Sequence, residues 1–165
     1  MSPDPVTSQL FRRVMGHFAT GITVITVERE PGQVHGMTAN SFNSVSLEPP
    51  LVSVCVDEDS LLLSFLKTQR RFGVSILNDT QQALSEHFAT GEQGPEADAR
   101  LGICYRWTDS RIPVLEDALA HLICNVVAEY PAGDHTLFLG EVESADLGDG
   151  RPLLYYSGQY RTLHS

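Results

Sequence analysis

Three short stretches concentrate the groups able to do chemistry. GMTANSFNSVSL (Gly36 to Leu47) sets Thr38, Asn40 and Ser41 within a few residues, where a half-buried strand would alternate apolar and polar side chains. VCVDEDS (Val54 to Ser60) runs an apolar strand into Asp57 and on to Ser60, a helix-capping residue type ahead of SLLLSFLKTQ. GDHTLFLGEV (Gly133 to Val142) carries Asp134 and His135 from a turn into a strand, and an unperturbed imidazole changes charge near neutral pH. Taken singly, each has an ordinary structural reading: a strand edge facing water, a helix cap, a solvated turn.

These stretches need elements to position them. TSQLFRRVMGHFA has helical period, with Leu10, Phe11, Val14, Met15 and Phe18 on one face and Arg12, Arg13 and His17 on the other. Thr7 or Ser8 is placed to cap it. ITVITVERE is a β-branched strand ending at the turn EPGQ. VHGMTANSF and NSVSLE follow, the second alternating through Val45 and Leu47, and Pro49-Pro50 breaks the chain before the buried strand LVSVCVD. SLLLSFLKTQ predicts a short amphipathic helix and RFGVSIL a strand. DTQQALSEHFA predicts a helix capped by Asp79 or Thr80. Thr90–Arg111 reads as a polar, mobile loop that carries Arg100, Arg106 and Arg111. ALAHLICNVVAEY has period two through Ala120, Leu122, Cys124, Val126 and Ala128, with His121, Ile123 and Asn125 on the other face. HTLFLGEVESADL follows the turn PAGD, and RPLLYYSGQYRTL closes the chain around a turn at Gly158. Strands outnumber helices and come in runs, so the expected fold is a mainly β, nearly closed antiparallel barrel with peripheral helices.

Composition and missing motifs exclude much. The 165 residues suit one domain, taken as 1–165, and the 42% hydrophobic content suits a globular core. Net charge is −10, and 10 of the 11 basic residues are arginines. That balance argues against a nucleic-acid partner yet leaves room for a locally held phosphate. No apolar run reaches membrane-spanning length and no secretory leader is visible, so the expectation is a cytoplasmic protein without a membrane partner. Cys55, Cys104 and Cys124 form no CxxC pair, and the six histidines show no metal-ligand spacing, so neither disulfides nor a metal site is expected. No Rossmann fingerprint, P-loop or Gly-x-Ser-x-Gly elbow is present.

The three polar stretches, in this order, resemble the flavin reductase-like family, the FMN-binding split-barrel proteins that serve as reductase components of two-component flavin monooxygenases. FATGITVIT (Phe18 to Thr26), GMTANSFNSVSLEPPLVSVCVD (Gly36 to Asp57), RFGVSIL (Arg71 to Leu77), ALAHLICNV (Ala118 to Val126), GDHTLFLGEV and PLLYYSGQYRTL (Pro152 to Leu163) carry the resemblance over nearly the whole chain. It implies a Greek-key-like split β-barrel that binds FMN or FAD and takes hydride from NADH or NADPH. The reduced flavin would pass by diffusion to a separate monooxygenase. The resemblance also implies a homodimer. By position, Thr38, Ala39, Asn40 and Ser41 match the segment lying along the flavin. Cys55, Val56 and Asp57 match the strand end beside it, Ser60 the start of the phosphate-binding element, and Phe72 and Gly73 a further wall. His135 matches the histidine that approaches the nicotinamide, with Asp134 placed to orient its ring, and on this resemblance Arg100, Arg106 and Arg111 suggest a place for nicotinamide selectivity. The acidic Asp57-Glu58-Asp59 run departs from the family at the phosphate end. Two other readings stay open at this point: a flavin- or haem-binding module without NAD(P)H turnover, and a split-barrel reductase or oxidase acting on another small acceptor.

Overall fold

The computed structural model describes residues 5–163. Helix α1 (Ser8–Met15) opens it, capped by the Thr7 hydroxyl, which accepts the Leu10 amide at 3.1 Å. Strands β1 (Thr20–Gly21), β2 (Thr23–Glu30), β3 (Gln33–Ala39), β4 (Asn43–Leu47) and β5 (Pro50–Asp57) follow. Helix α2 (Leu61–Gln69) leads to β6 (Arg71–Ile76). Helices α3 (Gln82–Phe88) and α4 (Pro95–Leu101) precede the short strands β7 (Tyr105–Trp107) and β8 (Pro113–Leu115). The long hairpin β9 (Ala120–Ala132) and β10 (His135–Leu147) is followed by β11 (Leu153–Tyr156) and β12 (Gln159–Thr162).

The main sheet is antiparallel, with strand order β3-β2-β6-β9-β10-β5-β4. β5 and β6, consecutive in the chain, are parted by β9 and β10, and α2 makes the crossing in the Greek-key manner. The two edge strands, β3 and β4, are also consecutive, so the sheet curls back on itself. A side chain makes a bond across this junction. The Ser41 hydroxyl donates to the Cys55 carbonyl at 3.1 Å and accepts the Cys55 amide at 3.2 Å. The result is a split barrel, as expected. A second, three-stranded sheet pairs β11 with β1 and β12.

The run ITVITV makes β2 a strand buried on both faces. Ile25 and Val27 join Phe72, Val74, Cys124 and Phe138 in the barrel interior, which α2 closes with Leu62, Leu63 and Leu66. Val24 packs the other way, into a cluster with Phe88 of α3 and Leu115 of β8. The buried Thr26 hydroxyl donates to the Pro113 carbonyl at 2.5 Å. Gly36 lets α3 sit tightly on β3, because a Cβ there would lie 2.6 Å from the Phe88 ring.

Several expectations are corrected. Thr90–Arg111 contains α4 and β7; Pro95 in the first turn and left-handed Gly102 at the end are ordinary helix boundary signals inside a polar stretch. α3 begins after Gln81 with no side-chain cap, because Asn78 holds the preceding turn by accepting both the amide and the hydroxyl of Thr80. β9 keeps its period of two but is buried on both faces: Cys124 and Val126 face the barrel interior, while Ile123 packs with Ile112 and Val114 and His121 Nε2 meets the Leu115 carbonyl at 2.6 Å. The alternation in β4 is real, but its Val45 and Leu47 stay exposed. α1 is the predicted amphipathic helix but ends at Met15, short of Phe18, and its apolar face is uncovered, with Phe11 56% and Val14 58% exposed.

Candidate functional site

Strand register brings two of the polar stretches together. β10 pairs with β5 so that His135 lies opposite Asp57 and Leu137 opposite Cys55. The Glu58 amide donates to the Asp134 carbonyl at 3.0 Å, and the Thr136 hydroxyl donates to the Glu58 carboxylate. Asp57 turns its carboxylate onto the Asp59 amide at 2.8 Å. Two of the three acidic side chains are thus engaged in holding the turn. His135 places Nδ1 at 2.7 Å from the Asp134 carboxylate. With Nδ1–H donating there, Nε2 is left as the open position of the ring. The hydrogen bond and charge of His135 hold the Asp134 carboxyl below its usual range, and the charge of Arg12 lowers it further.

The third stretch lies on the free edge of β3. Alternate residues of an edge strand turn their N–H and C=O groups away from the partner strand. Gly36 is one of them: its amide donates to Gln93 Oε1 at 2.9 Å and its carbonyl accepts Gln93 Nε2 at 2.7 Å. The two-residue period gives Thr38 the same outward-facing backbone. The Thr38 hydroxyl donates to the Ser85 carbonyl at 2.6 Å and ties the strand to α3. Thr38 and Asn40 line a cleft of about 230 Å³ with Ile22, Ser85, Tyr155 and Tyr160. The Ser60 hydroxyl lies 3.7 Å from Met37 Sδ, which links β3 to the start of α2. At that helix start Ser60 accepts the Leu62 amide through Oγ and the Leu63 amide through its carbonyl.

Thr38, Asn40, Ser41, Cys55, Asp57, Ser60 and His135 therefore present exposed or half-buried side chains along β3 and its exit, β5, the start of α2 and the GDHT turn. Four of the expected residues do not. Val56 and Phe72 are fully buried in the interior, and a Cβ on Gly73 would meet the Pro113 carbonyl at 2.4 Å. Their side-chain positions face packed protein, so they shape the strands without a side-chain surface for a ligand. Ala39 is buried too, which leaves its backbone as the usable part. Burial raises the Cys55 thiol and pushes Cys124 up to about 12, so neither is a ready thiolate. Sequence reasoning missed Gln93, Ser85, Tyr155 and Tyr160. They meet Gly36, Thr38 and Asn40 through long-range packing, and no periodicity in their own segments announces it.

A split barrel with an open polar strand edge beside a GDHT turn is the architecture of flavin-reductase-type proteins. The family model described as "Flavin reductase like domain" matches residues 15–164, and the chain belongs to that family. It is 42% identical to an NADH-dependent flavin reductase of Rhodococcus sp, covering 97% of this chain and 89% of that protein. It is 40% identical to the reductase component of 4-hydroxyphenylacetate 3-monooxygenase of Thermus thermophilus, covering 94% and 96%. Among solved structures it superposes on the Streptomyces globisporus NADH:FAD oxidoreductase in complex with NAD and FAD fragments. There the TM-score is 0.86 at 36% identity, with 98% of each chain covered.

Proposed function

We propose that this chain is an NADH:flavin oxidoreductase, one flavin reductase-like domain that supplies reduced flavin to a partner monooxygenase. The observation that carries the reading is the meeting of the β3 edge, the end of β5 and the GDHT turn at one end of the barrel. The relatives named as NADH-dependent reductases and as a monooxygenase reductase component support the donor and the partner. The flavin contributes its N5 as acceptor for the hydride from nicotinamide C4.

The residues present suit a flavin. Its pyrimidine edge presents both donors and acceptors, and the outward backbone of Thr38 offers one of each. Ser41 fixes Cys55, and Thr38 is fixed to α3, so the edge is held rigid before a ligand arrives. His135, with its ring set by Asp134, stands on the rim to orient the nicotinamide over the flavin. The protein's part is proximity and orientation. A flavin- or haem-binding module without NAD(P)H turnover, and a split-barrel reductase or oxidase acting on another small acceptor, draw no support from relatives named as NADH-dependent flavin and FAD reductases.

A homodimer is part of the proposal, supported by the exposed Val45 and Leu47 on the edge strand β4. No described helix is long and apolar enough to cross a membrane. The three free cysteines suit a reducing compartment, which we take to be the cytoplasm.

Steady-state oxidation of NADH with excess FMN or FAD tests the function, and absence of flavin-dependent oxidation rejects it. For His135, an unchanged nicotinamide KM and unchanged turnover in His135→Ala would remove its assigned role.

A further inference from the structure

The phosphate end of the ligands is poorly served at α2. Asp57, Glu58 and Asp59 are exposed around its start, and Ser60 already accepts the Leu62 and Leu63 amides. In a chain of net charge −10 an anionic nucleotide needs a local cationic surface to offset the general repulsion.

One concavity provides it. A pocket of about 330 Å³ is lined by Arg12, Arg13, Gly16, His17, Ser157 and Gly158, with no carboxylate among them. Its shape is fixed by the protein: the Ser157 amide donates to the Gly16 carbonyl at 2.7 Å, tying the β11–β12 turn to the end of α1. The Tyr156 hydroxyl lies 3.3 Å from His17 Nδ1. Among the described residues, Arg70, Arg71, Arg106, Arg111 and Arg151 each sit in an ion pair, whereas Arg12 and Arg13, like Arg29, Arg100 and Arg161, do not, although the charge of Arg12 is felt by the Asp134 carboxylate. Both arginines lie in the last turn of α1, where they favour the helix dipole, but that leaves their guanidinium donors open.

The pocket is also in the right place. It shares Arg12, Gly16 and Gly158 with an apolar pocket formed by Phe11, Met15 and Phe18. That pocket in turn shares Asn40 and Tyr155 with the cleft at Thr38. A continuous trough thus runs from the flavin-edge strand, past aromatic side chains, to two arginines and a histidine. The field of Arg12 reaches Asp134 beside His135. An extended ligand with a planar end at β3 and an anionic segment farther along would follow this trough.

Resting on the reductase reading, we propose that Arg12, Arg13 and His17 form a diphosphate subsite for the adenosine diphosphate moiety of a dinucleotide substrate. FAD and NADH both carry that moiety and FMN does not. Forked guanidinium donors suit paired phosphate oxygens better than an ammonium would.

The first test is calorimetric titration of ADP into the intact protein and into Arg12→Gln/Arg13→Gln, whose exposed side chains make the exchange compatible with folding. Binding is expected to weaken at least about tenfold in the variant and to fall with added salt in the parent. The Arg12→Lys/Arg13→Lys variant should lie between the two. Equal ADP affinity in parent and glutamine variant, or no ADP binding by the parent, overturns the subsite. The second test separates the two sources. A KM for FAD that rises at least about tenfold more than that for FMN assigns the pocket to the flavin. A KM for NADH that rises with either flavin assigns it to the nicotinamide nucleotide. Neither KM moving overturns the proposal. A parent protein that binds ADP through these arginines yet oxidises no NADH would refute the reductase reading and leave the subsite standing.

Discussion

Gly36→Ala probes the packing that fixes the flavin-edge strand. The new Cβ would lie 2.6 Å and 2.8 Å from two ring carbons of Phe88 and 3.2 Å from Val24 Cγ1. Carbon atoms settle at about 3.5–4.0 Å, so roughly 1 Å must open between β3 and α3. Neither neighbour yields easily. Phe88 is 2% exposed with its ring 4.8 Å from that of His87, and Val24 is fully buried. Overpacking of this kind costs about 1–3 kcal/mol, a fall of roughly 3–10 °C in melting temperature for a chain of this size. Moving α3 outward also draws the Ser85 carbonyl away from Thr38, so the flavin KM should rise with the loss of stability. Thermal melts and flavin KM are measured for Gly36→Ala, Phe88→Leu and the double variant. The smaller ring should recover part of the loss, giving a coupling of about 0.5–3 kcal/mol. A Gly36→Ala protein that melts with the parent, or a double variant whose losses simply add, would refute the packing argument.

Three further predictions follow from the site. Ser41→Ala strips the Cys55 amide and carbonyl of their partner and should cost about 1–3 kcal/mol, read as a lower urea midpoint at unchanged m-value. Asp134→Asn removes the carboxylate that sets the His135 ring; because the pair is solvent-exposed, turnover should fall only about two- to five-fold, with flavin KM unmoved. His35 is held below the ordinary histidine value of 6.5 by burial and by the charge of Arg29. The folded state therefore binds this proton less readily than the unfolded state, and the contribution is full above pH 6.5 and lost as pH falls from there toward the folded value. His35→Phe should lose less stability than the parent between pH 7.5 and about 5.5 in paired melts.

Much of the fold is legible in the sequence because strands and helices announce themselves by period. ITVITV, LVSVCVD and SLLLSFLKTQ fold as read, since each buries the face its spacing dictates. Thr90–Arg111 misleads because α4 is short and polar on nearly every side, and its evidence is in the boundary residues Pro95 and Gly102. The site is legible in part. Thr38, Ser41 and His135 stand out because polar side chains there have no role in a core. Phe72 and Gly73 share a motif with the site but face the packed interior, a distinction set by which neighbours flank β6. The arginines of Thr90–Arg111 are a similar case. Arg106 pairs with Asp146 and Arg111 with Glu28, so of the three arginines that suggested nicotinamide selectivity two are already matched.

The most direct test of the central claim is an anaerobic measurement of flavin bleaching. Enzyme, NADH and a stoichiometric amount of FMN or FAD are mixed, and the visible flavin band is followed against an enzyme-free control. Hydride transfer predicts that the band disappears at an enzyme-dependent rate, with one NADH consumed per flavin reduced. A band that persists with both flavins, at the same rate as the control, would contradict it.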